Sequence, residues 1–122
     1  MSILVITRPK KNRVGTHWGV ELSNGQVVDY TQEDGLRFTD RSRFAENLPI
    51  TVLRQVPWHL AWAVYSRLEE VRRNPRKYDL VEWNCETFAE WLTAGVPKSA
   101  QVLGGLLLIG LIAVLAIASR AA

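Results

Sequence analysis

The chain has 122 residues, which is room for one domain, and its 15 Lys and Arg against 12 Asp and Glu make it basic. With one cysteine, an intramolecular disulfide is excluded, and a reducing compartment is favoured. The basic excess has no aromatic or glycine motif beside it to support nucleic-acid binding, so we expect no nucleic-acid partner.

The first thirty residues predict three strands. The segment from Met1 to Thr7 has a short apolar run without a preceding basic stretch or a cleavage site, so it predicts a strand over Ile3 to Thr7 and no secretory signal. A polar, basic loop over residues 9–15 follows. Thr16 to Leu22 and Val27 to Thr31 then flank Ser23-Asn24-Gly25, which is a strong turn signal and predicts a hairpin.

The apolar residues of this hairpin favour one register. A two-residue loop would set polar side chains against the apolar face of the sheet. A three-residue loop, with Gly25 in the left-handed conformation, instead pairs Val20 with Val28 and Trp18 with Tyr30. The second register is therefore predicted.

The same register places a histidine and a carboxylate on the other face of the hairpin. His17 and Asp29 would be diagonal neighbours there, and Asp29 could hold the imidazole in one tautomer and stabilise its protonated form. The alternative is that Asp29 is an ordinary solvated strand residue. His59 is a second candidate for a catalytic base, since it is the only other histidine in the chain.

The rest of the soluble part predicts a mixed pattern. Residues from Gln32 to Leu48 read as polar and irregular, with a short helical turn near residues 43–47. Alternating apolar residues predict a strand over residues 50–56, and Pro57 to Arg73 reads as an amphipathic helix. Asn84 can cap a further helix that runs to Leu92 and is closed by a glycine and a proline. The predicted fold class is α+β, a small antiparallel sheet packed on helices.

The position of Cys85 in the first turn of that helix favours chemistry. Unpaired backbone N–H groups and the positive end of the helix dipole favour a thiolate over a thiol, and the same N–H groups could bind an oxyanion. Phe88, Ala89 and Leu92 share the face of Cys85, so packing of this face would direct the sulfur at the strand of His17. The alternative is a small buried hydrophobic residue.

The C-terminal fifth of the chain is apolar. No residue from Ser99 to Ser119 is charged, and these 21 residues would span roughly 30 Å as a helix, the thickness of a bilayer core. We therefore predict a domain over residues 1–98 and a transmembrane anchor over residues 99–122, with Lys98 and the catalytic domain on the cytoplasmic side. A buried core helix is the alternative.

Two basic clusters, at residues 8–13 and 72–77, would lie beside this anchor. Attraction to anionic lipid headgroups is the simplest explanation of such clusters, at about 1 kcal/mol per residue near a membrane surface. Ordinary solvated loop and helix charges explain them equally well.

Two segments of the sequence carry a family resemblance. His17-Trp18-Gly19, with Asp29 twelve positions after the histidine, and Asn84-Cys85-Glu86 resemble the lecithin:retinol acyltransferase family, including the H-Ras-like suppressor phospholipase/acyltransferases. The resemblance implies a circularly permuted papain-like fold related to NlpC-type peptidases. It also implies Cys85 as nucleophile, His17 as base and Asp29 as third member. Family members usually have histidine at the positions of Asp29 and Thr87.

The function predicted from these features is that of a tail-anchored thiol acyltransferase or phospholipase A-type hydrolase acting on glycerophospholipids. An NlpC-like amidase or peptidase, and an inactive membrane-tethered interaction module, are the alternatives. No cofactor is expected, because the chain shows neither metal-ligand spacing nor a glycine-rich phosphate loop. The sequence does not indicate an oligomeric state.

Overall fold

A computed structural model describes residues 2–80 and 82–96 of the chain. It confirms an α+β fold in which one five-stranded antiparallel sheet, in the order β4-β3-β2-β1-β5, packs against helices. The strands are β1 (Ile3–Pro9), β2 (Thr16–Glu21), β3 (Gln26–Thr31), β4 (Gly35–Asp40) and β5 (Thr51–Val56). The helices are α1 (Arg41–Ala45), α2 (Ala61–Arg73) and α3 (Cys85–Ala94), and a 3-10 turn over Trp58–Leu60 precedes α2.

The β2–β3 hairpin has the predicted three-residue register at its closed end. Val20 pairs with Val28, and Leu22 N–H donates to the carbonyl of Gln26 across the turn. Gly25 has φ of 88°, the left-handed conformation that this turn requires. The ladder consists of Val20/Val28 and the neighbouring Glu21/Val27 pair, so the expected pairing of Trp18 with Tyr30 is not part of it.

The prediction of irregular structure after Gln32 is wrong for residues 35–40, whereas the short helical turn expected near residues 43–47 is present as α1, two residues earlier. This segment contains strand β4, which pairs with β3 along its whole length, and helix α1, which Asp40 caps by accepting from Arg43 N–H. A tight turn with Gly35 at φ of 67° reverses the chain into β4. Since β4 is an edge strand with one neighbour and a half-solvated surface, its residues are more polar than those of the central strands.

The helix predicted from Pro57 begins later than expected. Pro57 has ψ of 136°, which is extended, and the α-helix starts at Ala61 after the 3-10 turn. Its buried face carries Val64, Leu68 and Val71. These side chains join the main core, which lies between the helices and the face of the sheet that carries Val20, Val28 and Tyr30.

Helix α3 is fixed at both ends. Thr87 N–H donates to Asn84 Oδ1 at 2.9 Å, and Asn84 N–H donates to Thr87 Oγ1 at 2.6 Å, which together form a capping box. Gly95 ends the helix with φ of 79°. Arg54 of β5 also donates to Glu90 and Thr93, which ties the helix to the sheet. Thr87 therefore holds the helix terminus that carries Cys85.

Loss of the Thr87 hydroxyl should weaken this terminus. Thr87→Val keeps the shape of the side chain but leaves Asn84 N–H without its acceptor, so we expect a loss of about 1 kcal/mol in the free energy of unfolding by urea. Thr87→Ser keeps the hydroxyl and should stay within a few tenths of wild type. Thr51→Val, on an exposed strand position, controls for the general effect of replacing threonine by valine. Equal stability of the Thr87→Val and Thr87→Ser variants would contradict the capping role.

The boundary predicted between residues 98 and 99, and the predicted C-terminal transmembrane helix, lie outside the described residues. Within the described part of the chain, no helix has the length and apolar character needed to cross a membrane.

Candidate active site

The site is built on the open end of the β2–β3 hairpin. His17 Nε2 lies 2.7 Å from Asp29 Oδ2, so the two residues are the neighbours that the register predicted. An ionised carboxylate can only accept, which means that Nε2 carries the proton and donates it. Asp29 is fully buried and His17 is 8% exposed. The bond therefore fixes the ring and leaves Nδ1 as the nitrogen available for a second partner.

A second cation on the same carboxylate was not predicted from the sequence. Arg37 of β4 donates from Nε to Asp29 Oδ1 at 2.9 Å and from Nη2 to Asp29 Oδ2 at 2.6 Å. Sequence reasoning missed Arg37 because it missed β4, whose register sets Arg37 opposite Asp29. The alternation of Leu36 and Phe38 after the Asp-Gly turn was the signal that could have found this strand.

Cys85 lies at the start of α3, which packs on β2, and it lines the same cleft as His17. It is 4% exposed, and its Sγ lies 3.9 Å from the carbonyl oxygen of Thr16. The side chain of His17 and the backbone N–H of Trp18 both lie near enough to the sulfur to lower the pKa of its thiol. Because the β2–β3 ladder does not extend to Trp18, its N–H is available to the sulfur rather than to β3.

The electrostatics favour a charged pair. Burial alone would raise the pKa of Cys85, but the hydrogen bond and charge of His17, the N–H of Trp18 and the charge of Lys10 bring that pKa below its ordinary value of 9.0. Burial alone would lower the pKa of His17, but its hydrogen bonds with Asp29 and Cys85 raise the pKa above 6.5. Both directions favour a thiolate beside an imidazolium.

The carboxyl group of Asp29 is also held in its ionised form. Burial alone would raise its pKa, yet hydrogen bonds from His17 and Arg37 hold the pKa below 3.8. Asp29 is thus an anion at neutral pH, and it can stabilise a cationic imidazole without taking its proton. Cys85 and His17 line one cleft, Asp29 holds His17, and together the three residues have the chemistry of an activated thiol nucleophile.

Phe44 of α1 forms the back wall of the site. Its fully buried ring stacks on His17, with centroids 5.4 Å apart and planes 28° from parallel. The ring also lies on Gly19 of β2, where a Cβ would approach Phe44 Cε2 to 2.6 Å. The absence of a side chain at Gly19 therefore lets Phe44 lie flat against the sheet and support the imidazole.

Gly19→Ala should disturb both stability and the site. The added methyl must displace a buried ring, so we expect a loss of about 1–3 kcal/mol in the free energy of unfolding and a lower rate of alkylation at Cys85. Adding Phe44→Leu, which shortens the side chain at the contact, should recover part of the stability that Gly19→Ala loses. Strictly additive effects of the two substitutions, or a Gly19→Ala protein as stable as wild type, would contradict the proposed contact.

The rival base lies elsewhere. His59 is exposed in the 3-10 turn before α2, where its ring meets Trp58 edge-on, and it does not line the cleft that holds Cys85. Strand β5 ends at Val56, shortly before His59, and Val56 pairs with Ile3. This pair lies at the opposite end of β1 from the Arg8/His17 pair. Among residues 2–80 and 82–96, no group of three or more His, Cys, Asp or Glu side chains is placed to hold a metal ion.

An open cleft of about 220 Å³ lies over Cys85 and His17. Tyr78 and the loop between β1 and β2 line it, so a small group can reach the sulfur from solvent. Comparisons of the chain with protein-family models, with curated proteins and with solved structures found no match.

Proposed function

We propose that this chain is a membrane-anchored cysteine acyltransferase or phospholipase A-type hydrolase with a circularly permuted papain-like fold, similar to the lecithin:retinol acyltransferase family. The supporting observation is that Cys85 and His17 line one cleft, in which the His17 ring is held by the buried carboxylate of Asp29. In this arrangement the histidine comes from a strand early in the chain and the cysteine from a later helix.

The first half-reaction forms a thioester. The thiolate of Cys85 adds to the ester carbonyl of a glycerophospholipid, and the resulting oxyanion is stabilised by the backbone N–H of Cys85 at the positive end of the α3 dipole. Collapse of this intermediate breaks the ester C–O bond. The imidazolium of His17 gives its proton to the departing lysophospholipid oxygen, which leaves an acyl group on Cys85 and a neutral His17.

The second half-reaction restores the enzyme. Water, an amine headgroup or a lysolipid attacks the thioester while His17 takes the proton of the acceptor. The C–S bond then breaks, and the products are an acylated acceptor, a Cys85 thiolate and an imidazolium. Asp29 keeps its charge throughout and stabilises the imidazolium in the resting state.

The proposal is tested by intact-protein mass spectrometry after exposure to phospholipid vesicles. An added mass equal to one acyl chain, absent when Cys85 is first blocked with an alkylating reagent, would support the acyl-enzyme. Turnover of a peptide or amide substrate without reaction on esters would instead favour an NlpC-like amidase. If the protein forms no adduct and releases no acyl group from any ester, the result would favour the inactive membrane-tethered interaction module.

Truncation after Lys98 separates the proposed anchor from the chemistry. Because His17, Asp29 and Cys85 all lie in the sheet and α3, the shortened protein should keep its rate on a short-chain, water-soluble ester. Its rate on vesicles should fall by about tenfold or more, since an anchor raises the local concentration of lipid. Equal losses on soluble and vesicular substrates would show that residues 99–119 contribute to the domain itself.

A further inference from the structure

The cleft over Cys85 has a strongly basic wall. Its lining includes five cationic side chains and two carboxylates, Glu33 and Glu46. Two of the cations are engaged inside the fold, because Arg8 pairs with Glu46 at 3.3 Å and Arg37 pairs with Asp29. The remaining three are Lys10, Lys11 and Arg13.

These three residues belong to the loop that joins β1 to β2, which we call the basic loop and define as residues 10–15. Lys10 N–H donates to the Gly15 carbonyl at 3.0 Å, which closes the loop directly beyond the strand pair that contains His17. Among the described residues, no carboxylate forms an ion pair with Lys10, Lys11 or Arg13. Their charges are therefore available to a ligand in the cleft.

The other basic cluster differs in this respect. Arg72 and Arg73 of α2 both pair with Glu69, and Arg76 lies over the ring of Trp83 at 4.3 Å from its centroid. The sequence analysis explained both clusters by attraction to a membrane. In the structure, the first cluster faces the nucleophile, whereas most of the second interacts with the protein's own side chains.

We propose that the basic loop binds the phosphate of an anionic glycerophospholipid, so that Lys10, Lys11 and Arg13 select substrates with net negative headgroups. The inference rests on the proposed function for the identity of the lipid. A cleft whose charged lining is mainly cationic concentrates anions by long-range attraction, and salt weakens this effect. A zwitterionic headgroup carries its own cation beside the phosphate, and its net attraction to the loop is correspondingly smaller.

Chemical modification tests the anion preference without any enzymatic activity. Iodoacetate and iodoacetamide alkylate thiolates and differ by one negative charge, so the ratio of their rates at Cys85 reports the local attraction for anions. We expect Lys10→Gln/Lys11→Gln/Arg13→Gln to lower the iodoacetate-to-iodoacetamide ratio about tenfold at low salt. Arg72→Gln/Arg73→Gln/Lys77→Gln removes the same number of charges and should leave the ratio unchanged. An equal ratio in wild type and in the basic-loop variant would overturn the proposal.

Substrate selection is tested with the full chain in nonionic detergent and short-chain phospholipids kept monomeric, so that attraction to a membrane surface does not contribute. Wild type should have a kcat/KM about tenfold higher for dihexanoylphosphatidylglycerol than for dihexanoylphosphatidylcholine. The basic-loop variant should bring the two values together, and the α2 variant should keep the difference. Equal kcat/KM values in wild type would overturn the selection, whereas no acyl release from either lipid would instead overturn the proposed function.

Inorganic phosphate distinguishes the source of the anion. If millimolar phosphate slows alkylation of wild type by iodoacetate but not that of the basic-loop variant, the loop binds the phosphate group itself. Headgroup preference without protection by phosphate would place recognition in the whole lipid headgroup. Equal protection of both proteins by phosphate would exclude Lys10, Lys11 and Arg13 as the ligands.

Discussion

Cys85→Ala is expected to reduce acyl transfer and hydrolysis below detection, by a factor of about a thousand or more, and to abolish the acyl adduct in intact mass spectra. The side chain removed is small and lies at a capped helix terminus, so the protein should remain folded, at a cost of about 1 kcal/mol. Cys85→Ser tests the same point with a matched side chain, since a hydroxyl in this position stays protonated at neutral pH. Substantial ester turnover by a folded Cys85→Ala protein would eliminate the covalent mechanism.

The two histidines provide an internal control for this result. His17→Ala should be nearly as severe, by about a hundredfold to ten-thousandfold, because it removes the group that lowers the pKa of the Cys85 thiol and protonates the leaving oxygen. His59→Ala should stay within about twofold of wild type, since His59 is exposed and lies away from the cleft. The reverse order of effects would show that the base is His59.

Asp29→Asn is expected to lower kcat/KM by about a hundredfold or more, because an amide cannot stabilise the imidazolium of His17 and can hold the ring in the wrong tautomer. The pKa of His17, now raised above 6.5 by Asp29 and Cys85, should fall. Activity that needs the protonated ring is lost as pH rises through that pKa. The alkaline limb of the pH–rate profile should therefore move to lower pH in the variant.

This substitution should also affect stability. The carboxylate of Asp29 is fully buried and accepts from both His17 and Arg37, so its loss should cost about 1–3 kcal/mol in the free energy of unfolding. Arg37→Gln separates the two effects, because it removes the cation and keeps the carboxylate on His17. We expect Arg37→Gln to lower stability while leaving the alkaline limb in place.

Two further variants complete the test of Asp29. Asp29→His, which introduces the residue usual in the resembling family, should keep more activity than Asp29→Ala because an imidazole can still accept from His17 Nε2. An unshifted alkaline limb and full activity in Asp29→Ala would reduce Asp29 to a structural partner of Arg37.

Local signals in the sequence determined a large part of the fold. The register of the β2–β3 turn follows from which apolar residues must share a face, and it led to the contact of His17 with Asp29. The start of α3 follows from the capping preference of Asn84, which put Cys85 in the first helical turn. Each of these features depends on residues close together in the chain or paired across one turn, where propensity and alternation act directly.

Other features required the packed structure. Strand β4, and with it Arg37, lies at the sheet edge, where one face is solvated and the apolar alternation is short. The wall that Phe44 forms over Gly19 depends on how α1 folds back on the sheet.

The position of Cys85 beside Trp18 was decided in the same way. The β2–β3 ladder ends at Val20/Val28, so the N–H of Trp18 can meet the sulfur, and Cys85 lies close to a strand nearly seventy residues earlier in the chain. The sequence by itself determined which residues could carry the chemistry and on which elements they lie. Tertiary packing decided that they meet, that Arg37 fixes the carboxylate and that the basic loop faces the cleft, because contacts between distant segments depend on how whole elements pack.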